Sequence, residues 1–301
     1  MLSSLNPSAQ EFLNNLNRIS DTLQKTQIQI SSGLRVNQVS DAPDSISTLL
    51  AARADLSTAQ QIGSNLTRFK AEADGAEQAL QEAVRLFDQV QTLGATGDTD
   101  TATSSSRSVL AQQLGSILEQ MGGLAATRIE GRYVFSGDSD QQAPYTIDLT
   151  QTNPVSPYAG SAATRVAQHP DGTTFAVSET AQTIFDSPDP TTNVFSAIVG
   201  LRAALANNDS AAIQTAVGGL DKVSAYLNAQ LAFYGRTQDK IAQAADYGQN
   251  LQTDLQTQIS GLQDTDMTSA ILELQQSQTQ EQAALQSRAL IPRTTLFDFL
   301  K

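Results

Sequence analysis

Apolar side chains near both ends of the chain recur at alternating intervals of four and three residues. This spacing predicts helices that pack along one seam, as in a coiled coil. Each stripe is too short for a stable isolated helix in water, so we expect the two ends to order by packing on each other or on other subunits. The N-terminal stripe consists of Phe12, Leu16, Ile19, Leu23, Thr26 and Ile30, and the C-terminal stripe of Met267, Ile271, Leu274, Gln278, Glu281 and Leu285.

Further helical patterns follow the first stripe. The same spacing continues without a break through residues 62–90, which predicts a long helix. Residues 41–44 contain an acid and an early proline, which predicts the start of this helical region. A polar loop at residues 94–103 precedes a third helix, whose candidate N-caps are residues 104–106.

The helical pattern returns in the second half of the chain. Asn193 begins a short apolar helix that pauses at residues 207–209, and a very long helix then extends to about Leu262. We expect this returning helix to pack antiparallel on residues 43–128, because that arrangement would bring the two chain ends together.

Residues 138–190 differ in character from the helical parts of the chain. Apolar and polar residues alternate through residues 145–149, which predicts a half-buried strand. The sequence His-Pro-Asp-Gly at residues 169–172 predicts the turn of a hairpin. Seven acids against a single base, Arg165, fit an outer surface. We therefore expect a separable β domain that assembly does not require.

These patterns together predict a mainly α fold. We expect a long antiparallel helical bundle or coiled coil built from both termini, with a small β domain inserted in mid-chain. Three domains follow from this interpretation. Residues 1–40 and 265–301 would form a discontinuous coiled-coil assembly domain, residues 41–137 and 191–264 a discontinuous helical core, and residues 138–190 the β insertion.

The composition opposes several classes of function. The formal net charge of −13 and the pI near 4.4 argue against binding to nucleic acid or to an anionic membrane. The absence of Cys excludes disulfides and thiolate metal sites. No apolar run approaches the length needed for membrane insertion. The first residues lack the basic and apolar regions of a cleaved signal peptide, so we expect a protein that is either cytoplasmic or exported without one.

No group of side chains in the sequence has the pattern of a catalytic or metal site. His169 lies in a turn without a second His, and residues 98–100 lack the Gly and Glu that complete a calcium loop. Asp264 and Asp266 are more simply explained as helix caps before Met267. We therefore predict no enzymatic activity, no cofactor and no metal.

Two distant motifs carry a resemblance to a known family. Residues 31–37 read Ser-Ser-Gly-Leu-Arg-Val-Asn, residues 40–44 read Ser-Asp-Ala-Pro-Asp, and residues 264–274 read Asp-Thr-Asp-Met-Thr-Ser-Ala-Ile-Leu-Glu-Leu. These segments resemble the N- and C-terminal signatures of bacterial flagellins and their hook-associated relatives. Residues 131–137 resemble a motif that closes the N-terminal helical half in the hook-associated branch. The signature residues are Ser32, Gly33, Arg35, Val36, Asn37, Asp41, Gly131, Phe135 and Gly137.

The resemblance implies a structural subunit of the bacterial flagellum that forms the junction between hook and filament and templates flagellin polymerisation. It also implies self-assembly into a ring or tube, with flagellin, hook-associated protein 1 and a type III export chaperone as partners. The expected location is the extracellular flagellum, after a cytoplasmic stage before export. The apolar C-terminal end resembles that of the same branch. We expect this end to join the two terminal stripes in the assembly interface through Leu296, Phe297, Phe299 and Leu300.

Two alternative functions stay open on the sequence. One is filament flagellin itself, because residues 2–14 match neither branch of the family closely. The other is a soluble effector or signalling protein whose coiled coil binds a receptor. The paired terminal motifs and the β insertion count against this second alternative.

Overall fold

The computed structural model describes the backbone of residues 7–290, and most of this part of the chain is helical. It contains seven α-helices and two small antiparallel β-sheets of two strands each. The elements are α1 (Pro7–Ser32), α2 (Ile46–Gly97), α3 (Ser104–Ala125), β1 (Arg128–Ile129), β2 (Arg132–Tyr133), β3 (Val166–Gln168), β4 (Thr174–Ala176), α4 (Ala181–Phe185), α5 (Val194–Ala206), α6 (Ser210–Gln263) and α7 (Met267–Leu290). The predicted mainly α fold with a small β region is therefore confirmed.

The described residues form two compact units. The first unit combines the N-terminal residues up to 58 with the residues from 251 onwards, and the second comprises residues 59–250. The first unit thus contains α1 and α7, and the second contains α3, α5 and both small sheets. The division into three domains, with boundaries at 40, 137, 190 and 264, stays a prediction.

The second unit is held together by one hydrophobic core. The predicted seam of α2 is buried from Ile62 to Val90 except at the half-buried Phe69, and α3, α5 and α6 contribute to the same cluster. Gln238 of α6 donates to Glu77 at 2.6 Å, and Gln91 donates to Asp221 at 3.1 Å. Because the partners on α6 fall in number as those on α2 rise, the two helices run antiparallel, as predicted.

Helix boundaries near the start of α2 and α3 differ from the sequence-based expectation. Residues Val39–Asp41 form a 3-10 turn, and α2 begins only at Ile46. The Asp41 carboxylate accepts from the backbone of residues 37 and 38, so it is not available to cap α2. The cap of α3 is Thr103, whose Oγ1 accepts from the Ser106 N–H at 3.2 Å.

The predicted strand at residues 145–149 is wrong, although the predicted alternation of burial is present. Tyr145 is buried and Ile147 and Leu149 are half-buried, but the segment forms only an isolated bridge between Ile147 and Val155. Its apolar side chains pack on α3 instead of pairing with a strand. A Cβ on Gly122 would overlap Ile147, and one on Gly115 would lie 3.2 Å from Leu149.

The predicted hairpin around residues 169–172 is confirmed by the pairing of β3 with β4. Val166 pairs with Ala176, and the His169 N–H donates to the Thr173 carbonyl at 2.7 Å. Residues 138–190 also contribute Tyr145, Ala167, Phe185 and other side chains to the core of the second unit. The packing therefore opposes the expectation that this segment is separable from the helices.

Candidate assembly interface

Helices α1 and α7 pack side by side in the first unit. Residues of the N-terminal stripe are half-buried, and Thr26 is fully buried. The Arg288 guanidinium lies over the Phe12 ring at 5.6 Å, near the start of α1 and the end of α7. The Thr265 N–H donates to the Gly33 carbonyl at 3.0 Å, near the end of α1 and the start of α7. The pair is thus antiparallel.

The face of α7 that meets α1 is not the apolar stripe of the sequence analysis. The inward residues of α7 are Ala270, Leu274, Ser277, Glu281 and Ala284, of which only Leu274 is a large apolar residue. Successive residues turn by about 100° around an α-helix, so the centre of this face lies about 60° from the centre of the predicted stripe.

The other large apolar residues of α7 whose side chains are described, Leu272 and three members of the predicted stripe, are largely exposed. Met267 is 41% exposed, Ile271 44% and Leu285 50%, so these side chains line the flank of the helix pair. A shallow groove of about 430 Å³ between α1 and α7, lined by Arg18 and Ser277 among others, shows that the pair is loosely packed. The structure thus brings Leu274 to the α1 contact and leaves the other three about half exposed. Their role in assembly stays a prediction.

The structure describes the predicted interface residues of α1 but not those of the C-terminal end. Phe12, Leu16, Ile19, Leu23 and Ile30 lie on the α1 face toward α7, half-buried. Leu296, Phe297, Phe299 and Leu300 lie outside the described residues.

The first signature motif is a clasp between the end of α1 and the end of α6. Gly33 has φ +73°, a left-handed conformation that favours glycine and ends α1. The chain then forms an antiparallel bridge from Leu34 to Asp264. Arg35 donates twice, from its backbone N–H to the Gln263 carbonyl and from its guanidinium to the Leu262 carbonyl, each at 2.7 Å. The motif therefore joins the N-terminal and C-terminal segments of the first unit.

The rest of this motif stabilises the turn that follows the clasp. Val36 is 5% exposed and anchors the turn, while the Asn37 side chain donates to the Leu34 carbonyl at 2.8 Å. The Asp41 carboxylate accepts from the backbone N–H groups of Gln38 and Asn37. These hydrogen bonds hold the pKa of Asp41 below its usual value, and Lys25, 3.6 Å away, adds a smaller effect in the same direction.

The segment at residues 131–137, which resembles the hook-associated branch, joins the helical and β parts of the second unit. Glu130 and Gly131 both have positive φ, and they form the two-residue turn between β1 and β2. Phe135 is fully buried and makes edge-on contacts with Phe185 and Tyr234. Gly137 has φ +61°, and a Cβ there would overlap backbone carbonyls of residues 161 and 163.

Several important polar residues were not identified from the sequence. Gln263 is 8% exposed, and its side chain accepts from Arg53 at 2.6 Å in the clasp. Arg165 donates to Glu72 at 2.6 Å, and both side chains are almost buried. The position of Arg165 as the only base among seven acids was a signal of a specific partner. Glu72 and Gln263 have no comparable signal, because helical spacing alone does not distinguish them from surface residues.

The residues considered for chemistry have structural roles. Asp266 caps α7 by accepting from the N–H groups of Thr268 and Ser269, which confirms its prediction as a cap. His169 lies in the hairpin turn, with its ring 5.2 Å from that of Tyr247. Within residues 7–290, no cluster of His, Cys, Asp and Glu is arranged to hold a metal ion. In the same range, no helix combines the length and apolarity required to cross a membrane.

Comparison with known proteins gives matches at both ends of the chain. Residues 4–140 match the bacterial flagellin N-terminal helical region, and residues 211–300 match the bacterial flagellin C-terminal helical region. A flagellin from Clostridium tyrobutyricum is 26% identical over 127 residues, or 42% of this chain. That alignment spans 34% of the length of the Clostridium protein.

Solved structures share the fold at low sequence identity. A candidate flagellar hook-associated protein from Vibrio parahaemolyticus matches with a TM-score of 0.64 and 19% identity, over 74% of this chain and 100% of its own. FlgL from Bacillus cereus matches with a TM-score of 0.56 and 19% identity, over 69% and 98%. Flagellar hook-associated protein 3 from Legionella pneumophila matches with a TM-score of 0.62 and 12% identity, over 70% and 98%.

The fold and the clasp define a structural subunit whose N-terminal and C-terminal helices are joined at one site, with an apolar flank on a terminal helix. Both family matches include a terminal helix of this pair and one side of the clasp. The chain belongs to the bacterial flagellin family.

Proposed function

We propose that this chain is a structural subunit of the bacterial flagellum that forms the junction between hook and filament, as hook-associated protein 3, and templates the polymerisation of flagellin. The observation that carries the proposal is the α1–α7 pair, which leaves Met267, Ile271 and Leu285 exposed along one flank. Exposed apolar residues aligned on one side of a helix favour packing against another protein. In a family of self-assembling subunits, that other protein is a neighbouring copy.

The junction branch of the family is supported by the fold comparisons. Proteins described as hook-associated or FlgL are covered over nearly their whole length by this chain. The proposed partners are hook-associated protein 1 on the hook side, flagellin on the filament side and a type III export chaperone before export. The proposed location is the extracellular flagellum, reached without a cleaved signal peptide. Residues 1–40 and 265–301 would form the assembly domain.

A genetic complementation experiment tests the proposed interface. In the source bacterium, the chromosomal gene is deleted and replaced by variants. Ile271→Asp with Leu285→Asp places two charges on the apolar flank, where desolvating them between subunits is costly. We expect normal hooks, no filaments, and flagellin released unpolymerised into the medium. A second variant, Phe297→Ala with Phe299→Ala, tests the apolar C-terminal end in the same assay.

The matched control is Gln276→Asp, which places the same residue on an exposed position of α7 about 140° away from Ile271. This variant should support filament growth. Secretion of each variant is measured in the medium, because a variant that is not exported does not test the interface. Normal filaments on cells that export Ile271→Asp with Leu285→Asp would contradict the proposed role of the flank.

Filament flagellin is the second candidate function, favoured by the Clostridium relative. Addition of purified wild-type flagellin to cells that lack this chain distinguishes the two. Hooks without a junction protein should not accept the added flagellin, whereas hooks that lack only the filament subunit should. Regrowth of filaments would show that the chain is a filament subunit.

A further inference from the structure

The groove between α1 and α7 lies on the side of the helix pair opposite the apolar flank. The flank runs along α7 through Ile271, and Gln280 lies about 180° away from Ile271 around the helix. The contact with α1 therefore separates the groove from the flank. The groove is lined by Asn15, Arg18, Ile19 and Thr22 of α1 and by Ser277 and Gln280 of α7.

The floor of the groove contains a serine whose hydroxyl has no partner in the protein. Ser277 is 5% exposed, and its hydroxyl makes no hydrogen bond with another described residue. Thr26, the other buried hydroxyl residue described in this helix pair, instead donates to the Thr22 carbonyl at 2.8 Å. Every fully enclosed side-chain oxygen or nitrogen of the described residues has a partner. The Ser277 hydroxyl is thus open to the groove and available to a ligand.

The rim of the groove carries further donors that the described part of the chain does not use. Arg18 forms no ion pair there and no hydrogen bond through its guanidinium. The side-chain amides of Asn15 and Gln280 likewise make no hydrogen bond with a described residue. Two acids are close in sequence, Asp21 on α1 and Glu281 on α7, but neither forms an ion pair with Arg18.

The side chains of the groove favour one class of ligand. A guanidinium offers only donors, in a planar fork that matches the two oxygens of a carboxylate. The hydroxyl of Ser277 and the two amides add donors around the same space. Ile19 provides an apolar contact, which suits the methylene groups of an alkyl chain and has no counterpart in an inorganic anion.

We propose that the α1–α7 groove binds a carboxylate carried on an alkyl chain, with Arg18 and Ser277 as its principal ligands. Two sources have this chemistry, an Asp or Glu side chain of another protein molecule and a free carboxylic acid. Binding at the groove leaves the apolar flank uncovered, because the two surfaces lie on opposite sides of the helix pair. The proposal does not rest on the flagellar role.

Nuclear magnetic resonance of the full-length protein, with butyrate as the probe, tests the groove. Butyrate should shift the side-chain signals of Arg18, Asn15 and Gln280 until the site is saturated, and sodium chloride at equal ionic strength should not. Arg18→Gln should weaken binding at least about tenfold, because a charge-assisted hydrogen bond is lost. Ser277→Ala should weaken it by about threefold to tenfold, because one neutral hydrogen bond is lost.

Two matched variants serve as controls. Arg68→Gln removes the same charge in the second unit, where the guanidinium lies over the Phe69 ring at 5.4 Å. Ser20→Ala removes an exposed hydroxyl of α1 that lies about 160° around the helix from Arg18. Both variants should bind butyrate as the wild type does, and circular dichroism checks that all variants are folded. Absence of saturable shifts in the wild-type protein, or an equal loss of binding in the controls, would overturn the proposal.

Carbodiimide coupling distinguishes the two sources of the carboxylate. Arg18→Lys keeps the charge and provides an amine that the reagent joins to a carboxylate held beside it. The purified chain is treated alone and with butyrate, as a mixture of isotope-labelled and unlabelled copies. A butyryl adduct at position 18 would identify a free acid as a ligand, and an isopeptide bond between copies would identify an acidic side chain. Either product supports the proposal.

The same reaction contains its own positive control. Lys25 lies 3.6 Å from Asp41, so these two residues should couple within one chain. If this link forms while position 18 couples to nothing, the groove holds no carboxylate and the proposal is overturned. Coupling of position 18 only to Asp21 or Glu281 of the same chain would overturn it as well, because the protein would then supply its own partner for Arg18.

Discussion

Replacing Arg165 by methionine should destabilise the second unit strongly. Arg165 Nη1 lies 2.6 Å from Glu72 Oε2, and the two side chains are 12% and 11% exposed. Removing one partner of a buried ion pair leaves the other charge uncompensated, at a typical cost of about 3–5 kcal/mol. Because a little of each side chain still reaches water, we expect a loss near 3 kcal/mol in the free energy of unfolding. Methionine retains the aliphatic stem of the side chain, so the loss measures the guanidinium contacts: the ion pairs with Glu72 and Asp140 and the hydrogen bond to the Gly137 carbonyl.

Urea denaturation followed by far-UV circular dichroism measures this loss. The control is a double variant, Arg165→Met with Glu72→Leu, in which the buried charge of Glu72 is also removed and Asp140 keeps its ion pair with Arg132. Replacement of a buried ion pair by apolar residues is often close to neutral, so the double variant should recover more than half of the lost stability. A loss below about 1 kcal/mol in the single variant, which is typical of an exposed pair, would refute the reasoning. Equal stability of the single and double variants would refute it as well.

Three other results are expected. Gly137→Ala should lower the free energy of unfolding by about 1–3 kcal/mol, because Gly137 has a φ of +61°. The control Gly123→Ala lies at an open helical position and should not lower it in the same urea titration. Asp41 and Asp266 have pKa values lowered by hydrogen bonds, so their stabilising contribution is present above the ordinary carboxyl pKa of about 3.9 and is lost as the pH falls below it. The hydrogen-exchange protection factors of the first unit, which are corrected for the intrinsic slowing of amide exchange in acid, should therefore fall as the pH drops, and Asp266→Asn should weaken that pH dependence. Replacement of residues 138–190 by a Gly-Ser linker should expose core side chains and reduce helical content, measured by circular dichroism; an unchanged melting curve would contradict the shared core.

The helices could be predicted from the sequence because their apolar spacing continues over many turns. The end of α6 was expected near Leu262 and lies at Gln263. The start of α2 was less predictable, because Asp41 is a good cap in isolation, and only the structure shows that its carboxylate is already engaged by residues 37 and 38. The apolar and polar residues of segment 145–149 alternate as in a strand. This alternation shows that one side of the segment is buried, but it does not show whether a helix or another strand covers that side.

The candidate interface was predictable in part. The apolar residues of α1 do face α7, and the signature around Gly33 and Arg35 does join the chain ends. The orientation of α7 was not predictable. The sequence shows where its apolar residues are, but it does not show whether they pack against α1 or remain exposed. Long-range polar contacts such as that of Arg165 with Glu72 could not be predicted either. They join positions 93 residues apart, and their pairing depends on the tertiary fold.

The small and polar inner face of α7 has a consequence for the order of events in assembly. A helix that gives its partner mostly alanine, serine and a single leucine gains little from that contact, while its apolar flank gains much from a new one. A neighbouring copy therefore gains more by covering the exposed flank than by replacing α1. The α1–α7 pair would keep the terminal segments helical and aligned while the flank stays open to a growing end, so docking need not wait for the pair to separate.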